Sequence, residues 1–463
     1  MRRQLRQPGQ NRNAGHRRQR AALVCRCERA AQHDRLRSDN ILAASESQAP
    51  VRDLIIRNAL VWGAGAPRDL AISAGRYVEL GQTGATAATE IDAAGRLCIP
   101  GFIEPHIHLD KVLLTESVPV NRSGSLGEAI DILGARKATY TVEDIAERAS
   151  RIVTSAVTNG VTHLRTHIDV DSGCGLTPLD ALLEVRARFA EVIDIQIVAF
   201  PQLGIVKDPG TAALLEQALA RGADVIGGMP FNEAGPAQSA EHIQIVFDIA
   251  RARDVDVDMH IDESDDPNAR TLEMLCAATL ANGWQGRVTA GHTCALAAYD
   301  QGYADHVMDL VAQADIHMIT NPATNLMLQG RDDDHPKRRG VTRVKELVAR
   351  GINVSFGQDN LRDMFYPFGR DDPLELALLI AHAAHMSQPD EIDTVFAMAT
   401  INGARVLSLP DYGTDPGCAG DLVILDAQTA AEAITGRCDR NYVIKSGQVV
   451  AQTETRTTHE LPG

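Results

Sequence analysis

The chain has 463 residues, a formal net charge of −16, 44% apolar residues and 4% aromatic residues. This composition is typical of a folded globular protein and argues against a disordered, collagen-like or coiled-coil chain. No run of about 18 apolar residues occurs, so the sequence predicts no membrane span. The eight cysteines are scattered and form no CxxC pair, which favours a reducing, cytoplasmic compartment over a disulfide scaffold.

The charge is unevenly distributed along the chain. Residues 1–50 hold eleven Arg and four acidic residues, a formal charge of +7, so the remaining 413 residues carry −23. A transit peptide is disfavoured because the serines come late, and a nucleic-acid arm is disfavoured because aromatic residues are missing. We expect an unstructured leader, or the product of a start site placed too far upstream. The acidic remainder disfavours nucleic acid as the main ligand.

From residue 51 onward the pattern becomes regular. Short strands with Gly or Asp turns occur over residues 51–97, and further β segments return over residues 411–463. We expect these two flanking sets to pack together as one small β-sandwich domain built from both ends of the chain.

Residues 98–410 alternate between apolar, strand-like runs and helix-length amphipathic stretches. The eight predicted strands are residues 97–103, 162–170, 194–200, 224–228, 256–260, 287–292, 316–320 and 352–357. Eight strand–helix units predict an α/β fold, a (β/α)8 TIM-like barrel. A doubly wound sheet is the alternative, but no GxGxxG motif opens a helix and no GxxxxGK[ST] motif is present.

Polar side chains follow the predicted strands at their carboxyl ends, which surround the active site in such a barrel. His106 and His108 are two residues apart, so on a strand they share one face and both imidazoles reach one metal ion. His260 and Asp359 from later strands would complete a nitrogen and oxygen shell suited to Zn²⁺ or Fe²⁺. Such an ion lowers the pKa of a bound water. HxH alone is weak, and Asp359 has the alternative role of a helix N-cap.

The ordered set of segments resembles one known family. Residues 100–110 resemble the strand-1 signature of the amidohydrolase superfamily. The segments that resemble its cytosine deaminase branch are 165–170, 197–202, 260–263, 291–293, 328–331, 336–346 and 351–359. The resemblance covers about residues 52–452. It implies a TIM-like barrel with a β-sandwich from both termini, and a homo-oligomer.

The resemblance also implies a metal centre. Carried over by motif, the ligands of one divalent ion, iron or zinc, would be His106, His108, His260 and Asp359. Binuclear relatives carry a carboxylated Lys on strand 4, and residues 224–230 contain no Lys, which supports a single ion.

Around this centre the resemblance implies a deamination mechanism. Glu263 would protonate the ring nitrogen beside the carbon that the activated water attacks, while His292 or Asp359 would accept the proton of that water. The substrate-binding residues would be Gln202, the main chain near Leu126, Asn360 and Phe365. The implied reaction releases ammonia from cytosine or a related aminopyrimidine or aminotriazine.

Alternatives stay open at this point. Gln358 and Asn360 stand where typical cytosine deaminases have His and Asp, and residues 361–365 are closer to the triazine-hydrolase group. The similar N-isopropylammelide isopropylamidohydrolase suggests removal of an alkylamine or hydrolysis of a cyclic amide instead. Glu263 favours deamination, unless it is only a solvated residue of the acidic run 262–266. A non-catalytic binder acting through residues 1–50 is a third hypothesis; polynucleotide deaminases are disfavoured because PCxxC is absent.

Overall fold

The computed structural model describes residues 52–78 and 86–459. The predicted leader, residues 1–50, therefore lies outside the described residues. Within the described part of the chain, no helix combines the length and the apolar character that crossing a membrane requires.

Eight strands form one parallel sheet in which each strand pairs with its neighbours in chain order. They are β6 (Phe102–Ile107), β7 (Val161–Asp169), β8 (Asp194–Phe200), β9 (Val225–Gly228), β10 (Val257–Ile261), β11 (Val288–His292), β12 (His317–Thr320) and β13 (Val354–Phe356). A bridge between Ile107 and Asp359 joins the first strand to the segment after the last one. This is the predicted (β/α)8 barrel.

Helices separate and cover these strands. They are α1 (Leu126–Lys137), α2 (Val142–Thr158), α3 (Thr177–Phe189), α4 (Thr211–Arg221), α5 (Pro236–Arg253), α6 (Thr271–Asn282), α7 (Gln301–Gln313), α8 (Pro322–Leu328), α9 (Val344–Ala349), α10 (Pro373–Ala383), α11 (Pro389–Met398), α12 (Ile401–Val406) and α13 (Ala430–Gly436). Helix α2 shows why the layers form: Ile145, Ala149, Ile152 and Ala156 recur at helical spacing and are buried. Each position of β7 is also buried, as expected for a strand with core on both faces.

The second sheet combines strands from both ends of the described chain, as predicted. Its strands are β1 (Arg52–Val61), β2 (Arg68–Ser73), β3 (Arg76–Val78), β4 (Ala87–Asp92), β5 (Leu97–Ile99), β14 (Leu422–Leu425), β15 (Arg440–Lys445) and β16 (Gln448–Gln452). The order is β16-β15-β14-β5-β1-β2-β3, with β4 also paired to β1.

The prediction of one barrel strand over residues 97–103 is wrong. The strand is interrupted at Pro100 and Gly101. Strand β5 therefore belongs to the second sheet, and β6 begins the barrel at Phe102. Gly101 has φ +121°, and a Cβ there would come within 2.2 Å of the Thr162 hydroxyl. Only glycine tolerates this conformation and this close approach, which explains the switch between sheets. Strand β6 consequently extends through His106.

Candidate metal centre and active site

Four predicted side chains meet at the carboxyl ends of the barrel strands: His106 on β6, His108 just after it, His260 on β10 and Asp359 after β13. Nε2 of His108 lies 3.1 Å from Nε2 of His260 and 3.2 Å from Oδ1 of Asp359. Nε2 of His106 lies 3.5 Å from the same oxygen. Metal–ligand bonds of about 2.0–2.1 Å in tetrahedral geometry place neighbouring ligand atoms about 3.3 Å apart. The spacing therefore suits one ion.

Five polar atoms of this cluster lack hydrogen-bond partners among the described residues. Both ring nitrogens of His106, Nδ1 of His260 and both carboxylate oxygens of Asp359 are buried and unbonded. Leaving such atoms unpaired is costly, and a divalent cation satisfies nitrogen and oxygen atoms together. The donor set of imidazoles and one carboxylate suits Zn²⁺ or Fe²⁺. The residues present therefore fit a divalent metal ion.

Neighbouring groups orient the cluster. Nδ1 of His108 donates a hydrogen bond to the His167 carbonyl oxygen at 3.0 Å, which leaves Nε2 free to act as a ligand. The Glu104 carboxylate accepts the backbone N–H groups of His106 and Gln358, and so links β6 to the segment after β13. Asp359 itself has φ +63°, a conformation that non-glycine residues rarely adopt and that often marks functional sites.

His167 packs against His106 with ring centroids 4.1 Å apart. Its Nε2 lies 3.2 Å from Oδ1 of Asp258, and Oδ2 of the same carboxylate accepts a hydrogen bond from Arg165 at 2.9 Å. Burial lowers the pKa of His167 to about 4. Burial opposes ionisation of Asp258, but His167 and Arg165 outweigh it and bring that pKa to about 2. The neutral imidazole of His167 thus contacts the ionised carboxylate of Asp258 on one side and the ring of His106 on the other.

Glu263 and His292 form the acid–base part of the site. Glu263 is 4% exposed, so the alternative of a solvated residue is wrong; Asp266 in the same acidic run is the exposed one. Burial, and then the charge of Asp359, raise the pKa of Glu263 well above its usual range. Burial lowers the pKa of His292 to about 3, so its imidazole is neutral. Burial therefore favours the protonated carboxyl group of Glu263 and the neutral imidazole of His292 at adjacent positions.

Two asparagines that the sequence analysis missed contact His292. Nδ2 of Asn325, on α8, lies 3.0 Å from Nδ1 of His292 and 3.4 Å from Oε1 of Glu263. Nδ2 of Asn321 lies 3.2 Å from Nε2 of the same ring. Asparagine after a strand is common in caps and turns, so neither residue carried a sequence signal.

Lys111 was also missed, and it orients a predicted substrate-binding residue. Its Nζ donates to Oε1 of Gln202 at 2.7 Å and lies 2.8 Å from Oδ1 of Asp169. Because an ammonium group only donates, the carbonyl oxygen of Gln202 must face Lys111. One N–H of its amide donates to Sδ of Met229 at 3.6 Å, and the other is left for a further acceptor. The signal was present in the sequence, since Lys111 directly follows the His-Ile-His-Leu-Asp segment.

The remaining predicted substrate residues are Leu126, Phe365 and Asn360. Leu126 begins α1 and packs in one apolar cluster with Phe365 and Met364. Phe365 also lines an adjoining cavity of about 170 Å³. Asn360 is 5% exposed, and its Nδ2 donates to Oδ2 of Asp363 at 2.7 Å. Leu126 and Phe365 thus belong to one apolar cluster, and Asn360 directly follows Asp359 in the chain.

Comparisons with known proteins follow the same lines. Residues 89–451 match the amidohydrolase family. The crystal structure of 5-methylcytosine deaminase from Klebsiella pneumoniae, liganded with 5-fluorocytosine, superposes with a TM-score of 0.84 at 39% identity, covering 88% of this chain and 99% of that one. Pterin deaminase of Rhizobium rhizogenes is 32% identical over 76% of this chain and 80% of its own length. N-isopropylammelide isopropyl amidohydrolase of a Pseudomonas species is 29% identical, over 87% and 98% respectively.

Proposed function

Because this chain belongs to the amidohydrolase family and hydrolyses carbon–nitrogen bonds, we propose that it deaminates an aminated heterocycle and releases ammonia. The substrate class is cytosine or a related aminopyrimidine or aminotriazine. One observation carries the proposal: Oε1 of Glu263 lies 3.5 Å from Nδ1 of His292, both side chains are buried, and both lie close to Asp359 of the histidine cluster. Burial raises the pKa of the carboxyl group and lowers that of the imidazole, which suits an acid and a base. Deamination of an aromatic ring needs both an acid and a base at one point.

His106, His108, His260 and Asp359 would hold one divalent ion. When bound, the ion supplies Lewis-acid chemistry and lowers the pKa of a water molecule. The described residues then handle the protons. The neutral ring of His292 and the carboxylate of Asp359 are the two groups that can take the proton of the attacking water.

Glu263 acts in the opposite direction. Its carboxyl proton is available for the ring nitrogen next to the carbon under attack, which removes aromatic resistance to addition. Asn325 contacts both Glu263 and His292 and so holds the acid and the base at a constant separation. After giving its proton to the ring, the Glu263 carboxylate can take the second proton of the attacking water and pass it to the leaving nitrogen. The first proton of that water, held by His292 or Asp359, then restores the acid form of Glu263.

Binding of the ring falls to residues on the opposite walls. The amide NH₂ of Gln202, oriented by Lys111, donates to a ring carbonyl or ring nitrogen. Phe365 and the chain near Leu126 contribute apolar contact at the rim. Asn360, next to Asp359, contacts another edge of the ring.

Removal of an alkylamine or hydrolysis of a cyclic amide is a second candidate. The similarity to an isopropyl amidohydrolase over nearly its whole length favours it. Such a reaction would release isopropylamine, not ammonia, from N-isopropylammelide.

An ammonia-release screen tests the proposal. The protein, reconstituted separately with Zn²⁺ and Fe²⁺, is incubated with cytosine, 5-methylcytosine, isocytosine, pterin, creatinine and aminotriazines, with metal analysis of each sample. We expect ammonia from at least one ring and about one metal ion per chain. Isopropylamine released from N-isopropylammelide, without ammonia from any of the rings, would establish the second candidate instead. The homo-oligomer stays a prediction. Size-exclusion chromatography with light scattering tests it by measuring the mass of the protein in solution.

A further inference from the structure

Asn360 is held on three sides. Its backbone N–H donates to the hydroxyl of Thr324 at 3.3 Å, and its carbonyl oxygen accepts from Nε2 of Gln358 at 3.1 Å. Its side-chain Nδ2 donates to Oδ2 of Asp363 at 2.7 Å. Since Asp359 directly precedes it, this side chain occupies a constant position next to a predicted metal ligand.

Asp363 is surrounded by donors. Its Oδ1 accepts the backbone N–H groups of Phe365 at 2.8 Å and Tyr366 at 3.0 Å, while Oδ2 accepts from Asn360. Burial raises the pKa of Asp363 to about 7, so above that pH its carboxylate is ionised and only accepts hydrogen bonds. The atom of Asn360 that faces it, 2.7 Å from Oδ2, is then the nitrogen. Asp363 is 3% exposed, so water does not compete for this bond.

The remaining polar atom of the side chain, Oδ1 of Asn360, therefore points away from Asp363. No donor reaches this oxygen within residues 52–78 and 86–459. An amide that could in principle both donate and accept is thereby restricted to accepting. Gln202 is restricted in the opposite sense. Because its side-chain oxygen accepts from Lys111, its amide is restricted to donating.

We propose that Asp363 holds the Asn360 amide so that Oδ1 faces the substrate, and that the site selects rings that donate a hydrogen bond, from N–H or NH₂, at this edge. The inference rests on the proposed function and names its substrate class more closely. Asp363 is a positioning residue, since it acts through Asn360. Asn360 then presents an oxygen, as an Asp would at the same position, so its presence is compatible with an aminopyrimidine substrate.

The orientation is tested first by stability, without reference to activity. Three variants are compared in metal-free protein by thermal unfolding at about pH 8.5, where the Asp363 carboxyl group is ionised: Asn360→Asp, Asp363→Asn, and the two together. Asn360→Asp puts two carboxylates in contact and should lower Tm. The double variant restores one donor and one acceptor in swapped positions, so its Tm should return toward that of the wild type. A double variant no more stable than Asn360→Asp would overturn the inferred orientation.

The substrate contact is tested by kinetics on the best ring of the ammonia screen, at about pH 8.5, where the Asp363 carboxyl group, with a pKa raised to about 7 by burial, is ionised. Asp363→Asn frees the Asn360 amide to turn over, and should raise KM about tenfold with metal content unchanged. The swapped double variant should recover most of that loss, because the carboxylate introduced by Asn360→Asp again presents an oxygen to the ring. If KM is unchanged in Asp363→Asn, Asp363 has a role in folding only. The same conclusion follows if KM is as high in the double variant as in Asp363→Asn.

Failure of this inference is distinguishable from failure of the proposed function. If the wild type releases no ammonia from any ring, the proposed function fails, while the stability comparison still reports the orientation of Asn360. Calorimetric titration with 5-fluorocytosine then replaces KM as the measure of ring binding. Weaker binding in Asp363→Asn that the double variant recovers supports the inference, and equal binding in all variants overturns it.

Discussion

Oε1 of Glu263 lies 3.5 Å from Nδ1 of His292, and both side chains are buried. Burial acts on the two groups in opposite directions: it raises the pKa of the carboxyl group and lowers that of the imidazole to about 3. These shifts favour a carboxyl group that keeps a proton it can give and an imidazole with a nitrogen that can accept one. Environment alone thus assigns an acid and a base to adjacent residues.

Replacing Glu263 with Gln should abolish the acid while keeping the shape of the side chain. We expect kcat to fall by about 10²–10⁴-fold with the metal content unchanged, because general acid catalysis contributes about that much. Steady-state kinetics with metal analysis of the same sample checks this. Asp266→Asn, an exposed carboxylate of the same loop, is the matched control and should keep wild-type kcat. Full activity in Glu263→Gln would remove this residue from the mechanism.

Removing the metal should destabilise the protein as well as inactivate it. The cluster then contains buried nitrogen and oxygen atoms without partners, whereas a bound ion adds its binding free energy to folding. Dialysis against a chelator should lower Tm, and adding Zn²⁺ should restore it in a concentration-dependent way. His260→Ala serves as the comparison and should lose most of the Zn²⁺-dependent rise. A Tm that Zn²⁺ leaves unchanged in the wild type would contradict a metal centre at these residues.

Stability of the metal-free protein should fall as the pH drops below about 6.5. Burial lowers the pKa of His108 and His292 to about 3 and of His167 to about 4, from 6.5 in the unfolded chain. Below pH 6.5 these histidines bind protons in the unfolded chain but not in the folded one. Their contribution to the free energy of unfolding is therefore complete above pH 6.5 and is lost as the pH falls. Each such histidine contributes up to about 1.4 kcal/mol per pH unit.

Urea unfolding in the presence of a chelator, at about pH 7.5, 6.5 and 5.5, measures this effect. The free energy of unfolding should change little between the first two values and fall between the last two. His167→Gln should reduce the slope on the acidic side. Equal stability at all three pH values would show that these imidazoles take up protons in the folded protein.

Lys111→Met should weaken substrate binding more than it affects the chemical step. The substitution removes the donor that holds Oε1 of Gln202, so the Gln202 amide can turn over and KM should rise about tenfold. It also leaves Asp169 with only Lys137 as a cationic partner among the described residues, which should cost about 3 kcal/mol of stability. Kinetics and urea unfolding separate the two effects. The control is Lys207→Met, which removes an exposed lysine in the loop after β8 whose Nζ donates to the Asn232 carbonyl oxygen; it should leave KM unchanged.

The barrel was predictable because parallel strands that are buried on both faces read as short apolar runs. The four candidate ligands were predictable because polar residues interrupt those runs at the strand ends, and because HxH spacing puts two imidazoles on one face. The first strand was misassigned at Pro100 and Gly101, since the switch between two sheets depends on the close approach of Thr162 from β7. A contact between residues so far apart in the chain leaves no local pattern.

By itself, the sequence determined the barrel, the flanking β-sheet strands and the residues that meet at the metal centre, because periodicity and strand-end position are local properties. Only the tertiary structure decided which groups carry protons and which way the amides point. The protonation of Glu263 depends on burial and on Asp359, and the orientation of Gln202 depends on Lys111, which is 91 residues away. Protonation and amide orientation depend on the dielectric surroundings and the hydrogen-bond partners of each group. Only folding brings these surroundings and partners together.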